Sequence, residues 1–194
     1  MTKAYLFQFN NGRSSHLRTG FFEKIGSFWT SPYFLWLIIL FGVALRFAQY
    51  LHNRSLWHDE ATIALDIMGR TFRGFFQPST IYNQTSPLGF LVVEKVMVQL
   101  FGSGEYALRL FPFVCGIISL PVFYGVAKRV INEKAIPIAL GLFVMSQPLI
   151  YFSSELKHYS CDMAMALLLL WVIACFRSKP LRITGIVFLA LIVS

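Results

Sequence analysis

The chain has 194 residues, of which 56% are hydrophobic and 13% are charged, whereas an ordinary soluble domain carries about 25% charged residues. The formal net charge is +8 at pH 7, but the Lys and Arg residues are scattered between apolar runs and do not form the basic face of a nucleic-acid-binding protein. Composition therefore excludes a soluble enzyme, a disordered tail and a nucleic-acid reader, and it predicts an all-α, polytopic integral membrane protein.

The N-terminal 31 residues predict a basic cytoplasmic tail. They contain Lys3, Arg13, Arg18 and Lys24, but no apolar core followed by a small-residue cleavage site, so a signal peptide is not expected. The next run, residues 32–50, is long enough to cross a bilayer and has Trp and Tyr near its ends, as interfacial anchors would be. We predict the first membrane span here.

Four further apolar runs predict spans at residues 106–127, 135–152, 161–176 and from 183 onward, giving about five transmembrane helices. The last run is still apolar at Ser194, so we expect residues 32–194 to be the N-terminal part of a larger membrane domain. The run at 86–102 is shorter and is interrupted by Glu94 and Lys95. It predicts a helix that lies along the membrane interface.

The interfacial placement decides the predicted topology. It puts the basic tail and the basic clusters at 128–134 and 177–182 on one side of the membrane, as the positive-inside rule requires. Residues 51–105 then form an outer loop, and the turn at 153–160 faces the same side. Nearly all acidic residues lie in or beside these two segments, so the outer face is predicted to carry the functional site.

The first acidic cluster directly follows the first span. Asp59 and Glu60 stand at the predicted start of a helix, and Asp59, Thr62 and Asp66 have the spacing of one helical face. Two interpretations are open at this point. The carboxylates could cap the helix, since acidic residues favour its positive end, or they could form part of an active site at the membrane surface.

The second cluster joins the third and fourth predicted spans. If this turn is helical, one face would carry four polar side chains, namely Glu155, His158, Tyr159 and Asp162. An ionisable residue as close to the membrane as Asp162 is a functional hypothesis by default. The alternative is a hydrated turn in which His158 and Asp162 are simply paired.

Two arginines lie close to the predicted spans on the same side. Arg46 falls in the outer half of the first span and could extend toward the headgroups, and Arg109 could pair with Glu105 one turn earlier. Alternatively, both arginines face the carboxylates across a cleft, where they would bind an anionic lipid headgroup or a lipid phosphate.

Several short motifs occur in a characteristic order: LWHDE at 56–60, NQTSPL at 83–88, ALRLFP at 107–112 and YFSSELKHYS at 151–160. In this order they resemble the N-terminal part of GT-C membrane glycosyltransferases of the protein O-mannosyltransferase and lipid A aminoarabinose transferase type. The resemblance covers roughly residues 35–180. It implies inverting transfer of a sugar from a polyprenyl-phosphate donor to a hydroxyl of a lipid, polysaccharide or protein acceptor, on the outer face of the plasma (inner) membrane.

The resemblance also implies roles for individual residues. Asp59 would be the catalytic base, with Glu60 supporting it. The residues expected to hold the donor phosphate are Lys157, His158, Arg109 and Arg46, and the supporting residues are Asp66, Glu155, Tyr159 and Asp162. The aminoarabinose transferases have an acidic metal ligand where this chain has Gln84 and Thr85. No metal is therefore predicted, although the outer acids could bind a divalent cation together with the donor phosphate.

Two other classes of function remain as alternatives. A transporter or flippase-like protein would bind an anionic substrate with the same charges, although such folds tend to show internal repeats and broken helices at the membrane midplane. A non-catalytic membrane subunit would only dock partners. Exchange of Asp59 for Asn separates these classes, because only the enzyme needs this carboxylate as a base.

Overall fold

The computed structural model describes residues 28–77 and 86–176, and 81% of these residues are helical with no strand among them. The predicted all-α class is confirmed. Residues 1–27 of the basic tail, Gln84 and Thr85, the cluster at 177–182 and the apolar run from 183 lie outside the described residues. The α-helices are α1 (Pro32–Leu51), α2 (His58–Gly69), α3 (Leu88–Phe101), α4 (Glu105–Val130), α5 (Ile136–Val144), α6 (Gln147–Phe152) and α7 (Tyr159–Phe176), with 3-10 segments at Phe72–Phe76 and Glu133–Ala135.

Of the described helices, α1 and α4 are long and apolar enough to cross a membrane, with mean hydropathies of 1.9 and 2.0. They coincide with two of the predicted spans. The Ser31 side chain caps α1 by accepting a hydrogen bond from the Phe34 N–H at 3.3 Å, and Pro32 occupies the first turn, where its missing N–H costs nothing. α4 continues through Pro112 and Pro121. Its last turn contains Lys128 and Arg129, whose positive charges complement the negative end of the helix.

The prediction of one continuous helix over 135–152 is wrong. α5 ends at Val144, Ser146 is extended with ψ of 108°, and α6 starts afresh at Gln147. The reason is Pro148. In a continuous helix its ring would collide with the carbonyl of Val144 and no N–H would be available for that carbonyl, whereas in the first turn of a new helix it is tolerated.

The long helices run up and down and give the bundle two distinct ends. At one end Tyr50 of α1 donates a hydrogen bond from its hydroxyl to the Tyr106 carbonyl of α4 at 2.7 Å. At the other end the Trp29 indole N–H, just before α1, donates to the Lys134 carbonyl at 3.4 Å, and Arg129 of α4 lies over the Trp171 ring of α7. We call the first the site end and the second the basic end. α4 and α7 therefore run parallel, linked by the returning α5 and α6.

A small helical layer formed by α2, Phe72–Phe76 and α3 covers the site end. Its core buries Ile67, Phe75 and Phe90 against Leu108 of α4. α3 has 14 residues and is therefore ~21 Å long, too short for a hydrocarbon layer of about 30 Å. The ammonium group of Lys95 on α3 donates to the carbonyls of the last turn of α2. The predicted helix at 86–102 is confirmed, and its interfacial placement stays a prediction.

Candidate functional site

A cavity of about 330 Å³ opens at the site end, between the start of α2 and the segment that leads into α7. Its volume lies within the range of about 300–1,000 Å³ that is typical of small-molecule sites. Charged groups and aromatic rings share its lining. The charged residues are Asp59, Glu60, Glu155 and Lys157, and the aromatic residues include Trp57, Tyr151, Phe152 and Tyr159. The two acidic clusters predicted from sequence thus meet in one place.

The rim of the cavity carries an ion pair between Asp59 and Lys157. The Lys157 ammonium lies 3.2 Å from a carboxylate oxygen of Asp59. The Asp59 side chain is 57% exposed, whereas that of Lys157 is 17% exposed. An exposed pair of this kind contributes only about 0–1 kcal/mol to stability. Asp59 is therefore accessible to a molecule in the cavity, and its partner can be drawn away at small cost.

Glu60 forms the floor of the cavity and is only 1% exposed. Its carboxylate accepts hydrogen bonds from the N–H groups of Trp57 at 3.1 Å and Leu156 at 2.8 Å, and from the Arg109 guanidinium at 3.0 Å. The bond from Trp57 is the reciprocal half of a capping box. Of the two adjacent acids, Glu60 therefore caps α2 and joins three segments of the chain, while Asp59 faces the cavity.

Arg109 lies beneath this floor and is buried. Besides Glu60, its guanidinium donates to the Arg54 carbonyl at 2.6 Å and to the Asn53 side chain at 3.4 Å. The expected pairing of Arg109 with Glu105 is wrong. An exposed pair one turn apart contributes only about 0.2–0.5 kcal/mol, whereas a buried guanidinium needs a carboxylate and further acceptors around it, and the floor supplies both.

Arg54 is a site residue that the sequence analysis missed. Its guanidinium carbon lies 4.4 Å from the ring centre of Tyr151 and 5.3 Å from that of Trp57. It also forms an ion pair with Glu155 and a hydrogen bond with the Tyr151 hydroxyl. Arg54 therefore ties the loop before α2 to the segment before α7. No periodic pattern marks it, because it stands in an irregular loop.

The sequence predicts a helical face that begins at Glu155, and this prediction is wrong for Glu155 because the residue precedes the helix. Residues 153–158 form turns, and α7 starts only at Tyr159. The Leu156 N–H donates to Glu60 at 2.8 Å and the Lys157 N–H donates to the Glu155 carbonyl at 2.7 Å, so this segment forms a bend that is bonded to the start of α2. His158 and Asp162 are paired at 3.6 Å, as the alternative interpretation expected, while Tyr159 reaches the cavity.

The remaining predicted residues lie away from the cavity. Arg46 is fully buried inside the bundle and donates to the Gly42 carbonyl at 3.2 Å, so the expectation that it extends toward the headgroups is wrong. Asp66 pairs with Arg70 at 3.0 Å. Within the described residues, the cavity lining does not include Arg46, Arg109, Asp66, His158 or Asp162.

Glu94 of α3 is a buried acid below the helical layer. It is fully shielded from solvent, and within the described ranges neither of its carboxyl oxygens has a hydrogen-bond partner. Burial, with a smaller contribution from Cys115, raises the pKa of Glu94 to about 9. The carboxyl group is therefore neutral at pH 7, as a buried acid without a partner must be.

The site and the fold together define a helical protein with two helices of membrane-spanning length and an accessible acid–lysine pair in a ring-lined cavity at one end. Across residues 28–77 and 86–176, no group of three or more His, Cys, Asp or Glu side chains is arranged to hold a metal ion. The chain matches no protein-family model, no curated protein and no solved structure.

Proposed function

We propose that the chain belongs to a GT-C-type membrane glycosyltransferase, which moves a sugar from a polyprenyl-phosphate donor to an acceptor hydroxyl with inversion. The observation that carries the proposal is the accessible Asp59 carboxylate beside Lys157 in a cavity lined with aromatic rings. The motif order described above supplies the reaction class. The cavity supplies a place where a base, a cation and a sugar-binding surface lie together.

In the proposed reaction, Asp59 accepts the proton of the acceptor hydroxyl as the acceptor oxygen attacks the anomeric carbon of the sugar. The bond between that carbon and the phosphate oxygen breaks, and its electron pair leaves with the polyprenyl phosphate. Attack from the face opposite the leaving group inverts the anomeric centre. A positioned carboxylate base contributes typically 10²–10⁴-fold to such a step.

Lys157 has two successive partners in this proposal. In the free protein its ammonium neutralises Asp59 at 3.2 Å. A donor phosphate in the cavity competes for the ammonium, and its negative charge grows as the sugar leaves. Donor binding would thereby release Asp59 to act as a base at the moment when an acceptor is needed. Asp59 and Lys157 form one unit, so loss of either should lower transfer.

The buried residues beneath the cavity have a positioning role in the proposal. Glu60 holds the first turn of α2, on which Asp59 stands, and its partner Arg109 fixes Glu60. Arg54 fixes the opposite wall through Tyr151 and Glu155. In this proposal Arg109 therefore acts through Glu60, and Lys157 is the residue that binds the donor phosphate.

The proposed membrane arrangement places the site end at the outer, extracytoplasmic face. α1 and α4 would cross the plasma membrane, and the Lys128 and Arg129 cations that end α4 would face the cytoplasm, as the positive-inside rule requires. α7 and the α5–α6 pair would belong to the same membrane domain. The helical layer of α2 and α3 would then lie at the outer interface, where the start of α2 lines the cavity.

The test is sugar transfer in membranes that carry the full-length protein, with a panel of radiolabelled polyprenyl-phosphate hexoses and pentoses as donors. We expect Asp59→Asn to lower transfer at least 100-fold while donor binding is retained. Glu105→Gln is the matched control, because it removes a carboxylate at the same end of the bundle but outside the cavity.

Each result decides between classes of protein. Loss of transfer in Asp59→Asn alone, at equal expression, supports the enzyme and the role of Asp59. Equal transfer by the wild type and Asp59→Asn removes Asp59 from catalysis. Absence of transfer by the wild type across the panel overturns the enzyme and favours a transporter or a docking subunit.

A further inference from the structure

A second cavity, of about 160 Å³, lies at the basic end between the start of α1, the last turns of α4 and the segment Glu133–Ala135. It is smaller than the range of about 300–1,000 Å³ expected for drug-sized ligands, so it suits a group the size of a lipid headgroup. Its apolar wall includes Pro32, Leu35 and Ile136, and its polar groups include Lys128 and Glu133.

The cavity presents one cation and one anion. The Lys128 ammonium lies 5.4 Å from the ring centre of Tyr124, which also lines the cavity. Within the described residues, Lys128 and Glu133 line the same space without an ion pair between them. Their charges are therefore both available to a ligand. A ligand that satisfies both must carry a negative and a positive group close together.

Exposed aromatic residues surround this end of the bundle. Phe28, Tyr33 and Trp36 are 60%, 84% and 55% exposed, although residues of this size are normally buried in a soluble protein. Such rings are enriched at the level of lipid headgroups in membrane proteins. If α1 crosses a membrane, the cavity therefore opens at the level of the headgroups, with Pro32, Leu35 and Ile136 as its apolar wall.

We propose that this cavity binds the phosphoethanolamine headgroup of a phospholipid. The lipid phosphate contacts Lys128, the lipid ammonium contacts Glu133, and the glycerol rests on Pro32 and Leu35. An anionic lipid such as phosphatidylglycerol satisfies only Lys128 and faces repulsion from Glu133. Phosphatidylcholine carries a positive charge, but it has no N–H to donate to the carboxylate.

The test is native mass spectrometry of the purified full-length protein, titrated with phosphatidylethanolamine, phosphatidylglycerol or phosphatidylcholine of identical acyl chains. We expect phosphatidylethanolamine to bind best. Glu133→Gln should weaken the binding of phosphatidylethanolamine about fivefold and leave the binding of phosphatidylglycerol equal or stronger. Lys128→Gln should weaken the binding of both lipids about fivefold, since one charge near a headgroup contributes on this scale.

Arg129→Gln is the matched control, because it removes an adjacent cation that bonds the Gly125 carbonyl and lies outside the cavity; it should bind phosphatidylethanolamine like the wild type. Unchanged phosphatidylethanolamine binding in Glu133→Gln, or stronger binding of phosphatidylglycerol by the wild type, overturns the proposal. A last titration adds soluble glycerophosphoethanolamine as a competitor of the lipid. If it displaces the lipid at equal concentration, the bound species is a free phosphoester and the assignment to a lipid is wrong.

Discussion

The two ends of the bundle differ in whether their charged side chains are buried or exposed. At the site end, Glu60 and Arg109 are almost completely buried and are bonded to each other and to backbone groups of distant segments. At the basic end, Lys128 and Arg129 are exposed and lie over the rings of Tyr124 and Trp171. A buried charge costs several kcal/mol unless it is fully bonded. The site end therefore depends on every member of a polar network, whereas apolar packing holds the basic end.

The largest expected effect comes from breaking the buried pair. Arg109→Met leaves Glu60 as a buried charge without its cation and should destabilise the protein by about 3–5 kcal/mol. Thermal unfolding of the purified protein in detergent measures the loss. The double variant Glu60→Gln/Arg109→Met should recover part of it, because a neutral Gln can still accept from Leu156. A single variant as stable as the wild type would show that the floor does not depend on the pair.

Alanine substitutions at two glycines of α4 compare how tightly the two ends of the bundle are packed. A Cβ at Gly116 would lie 2.6 Å from the Cβ of Ser153, beside buried main chain, whereas a Cβ at Gly125 would meet the partly exposed Trp171 ring. Gly116→Ala should therefore cost about 1–3 kcal/mol, and Gly125→Ala less, since the indole can move. Gly141→Ala, which meets open space, should be neutral or stabilising. Equal losses at Gly116 and Gly125 would contradict the comparison.

Glu94 should make the stability of the site end depend on pH. Because the pKa of the folded state is about 9, above the ordinary 4.5, the contribution of the neutral carboxyl is complete below pH 4.5 and is lost as pH rises toward 9. We expect the melting temperature to fall over this interval in the wild type and to fall less in Glu94→Gln. Glu105→Gln should keep the wild-type slope. An identical slope in Glu94→Gln would contradict the assignment.

The smallest effect on stability is expected at the rim. Lys157→Met removes a partly exposed ion pair and should change the free energy of unfolding by less than about 1 kcal/mol, although the proposed function requires it to lower sugar transfer. Unfolding and transfer measured on the same preparation separate the two roles. A loss of stability as large as that of Arg109→Met would place Lys157 in the buried network instead.

The sequence predicted α1, α4 and α7 well, because long apolar runs between polar breaks are a local signal. It missed the break before Gln147, since residues 135–152 are apolar except for Ser146 and Gln147 and the break is marked only by these two residues and Pro148. It also extended helical periodicity to Glu155, where the chain bends and the Leu156 N–H is bonded to the distant Glu60. Local patterns identify elements, and contacts between distant segments decide where they stop.

The two charged segments that meet in the cavity were predicted from the sequence, but their pairing and the contacts of Arg54 were not. Asp59, Glu60, Glu155 and Lys157 stand out as charges in two short segments. Their partners are 49 residues apart for Glu60 and Arg109, 98 for Asp59 and Lys157, and 101 for Arg54 and Glu155. No helical or strand period spans such distances, so periodicity could suggest only pairs one turn apart, such as Glu105 and Arg109.

The bond from Leu156 to Glu60 also sets an order of events during biosynthesis. The two residues are 96 positions apart, and at about 5–20 residues per second a ribosome needs roughly 5–20 s to make the intervening chain. During this interval the rest of α2 and then α4 are synthesised, while the Glu60 carboxylate still lacks the hydrogen bond from the turn before α7. The cavity closes only when that turn arrives, so completion of the site is one of the last steps in the maturation of the described chain.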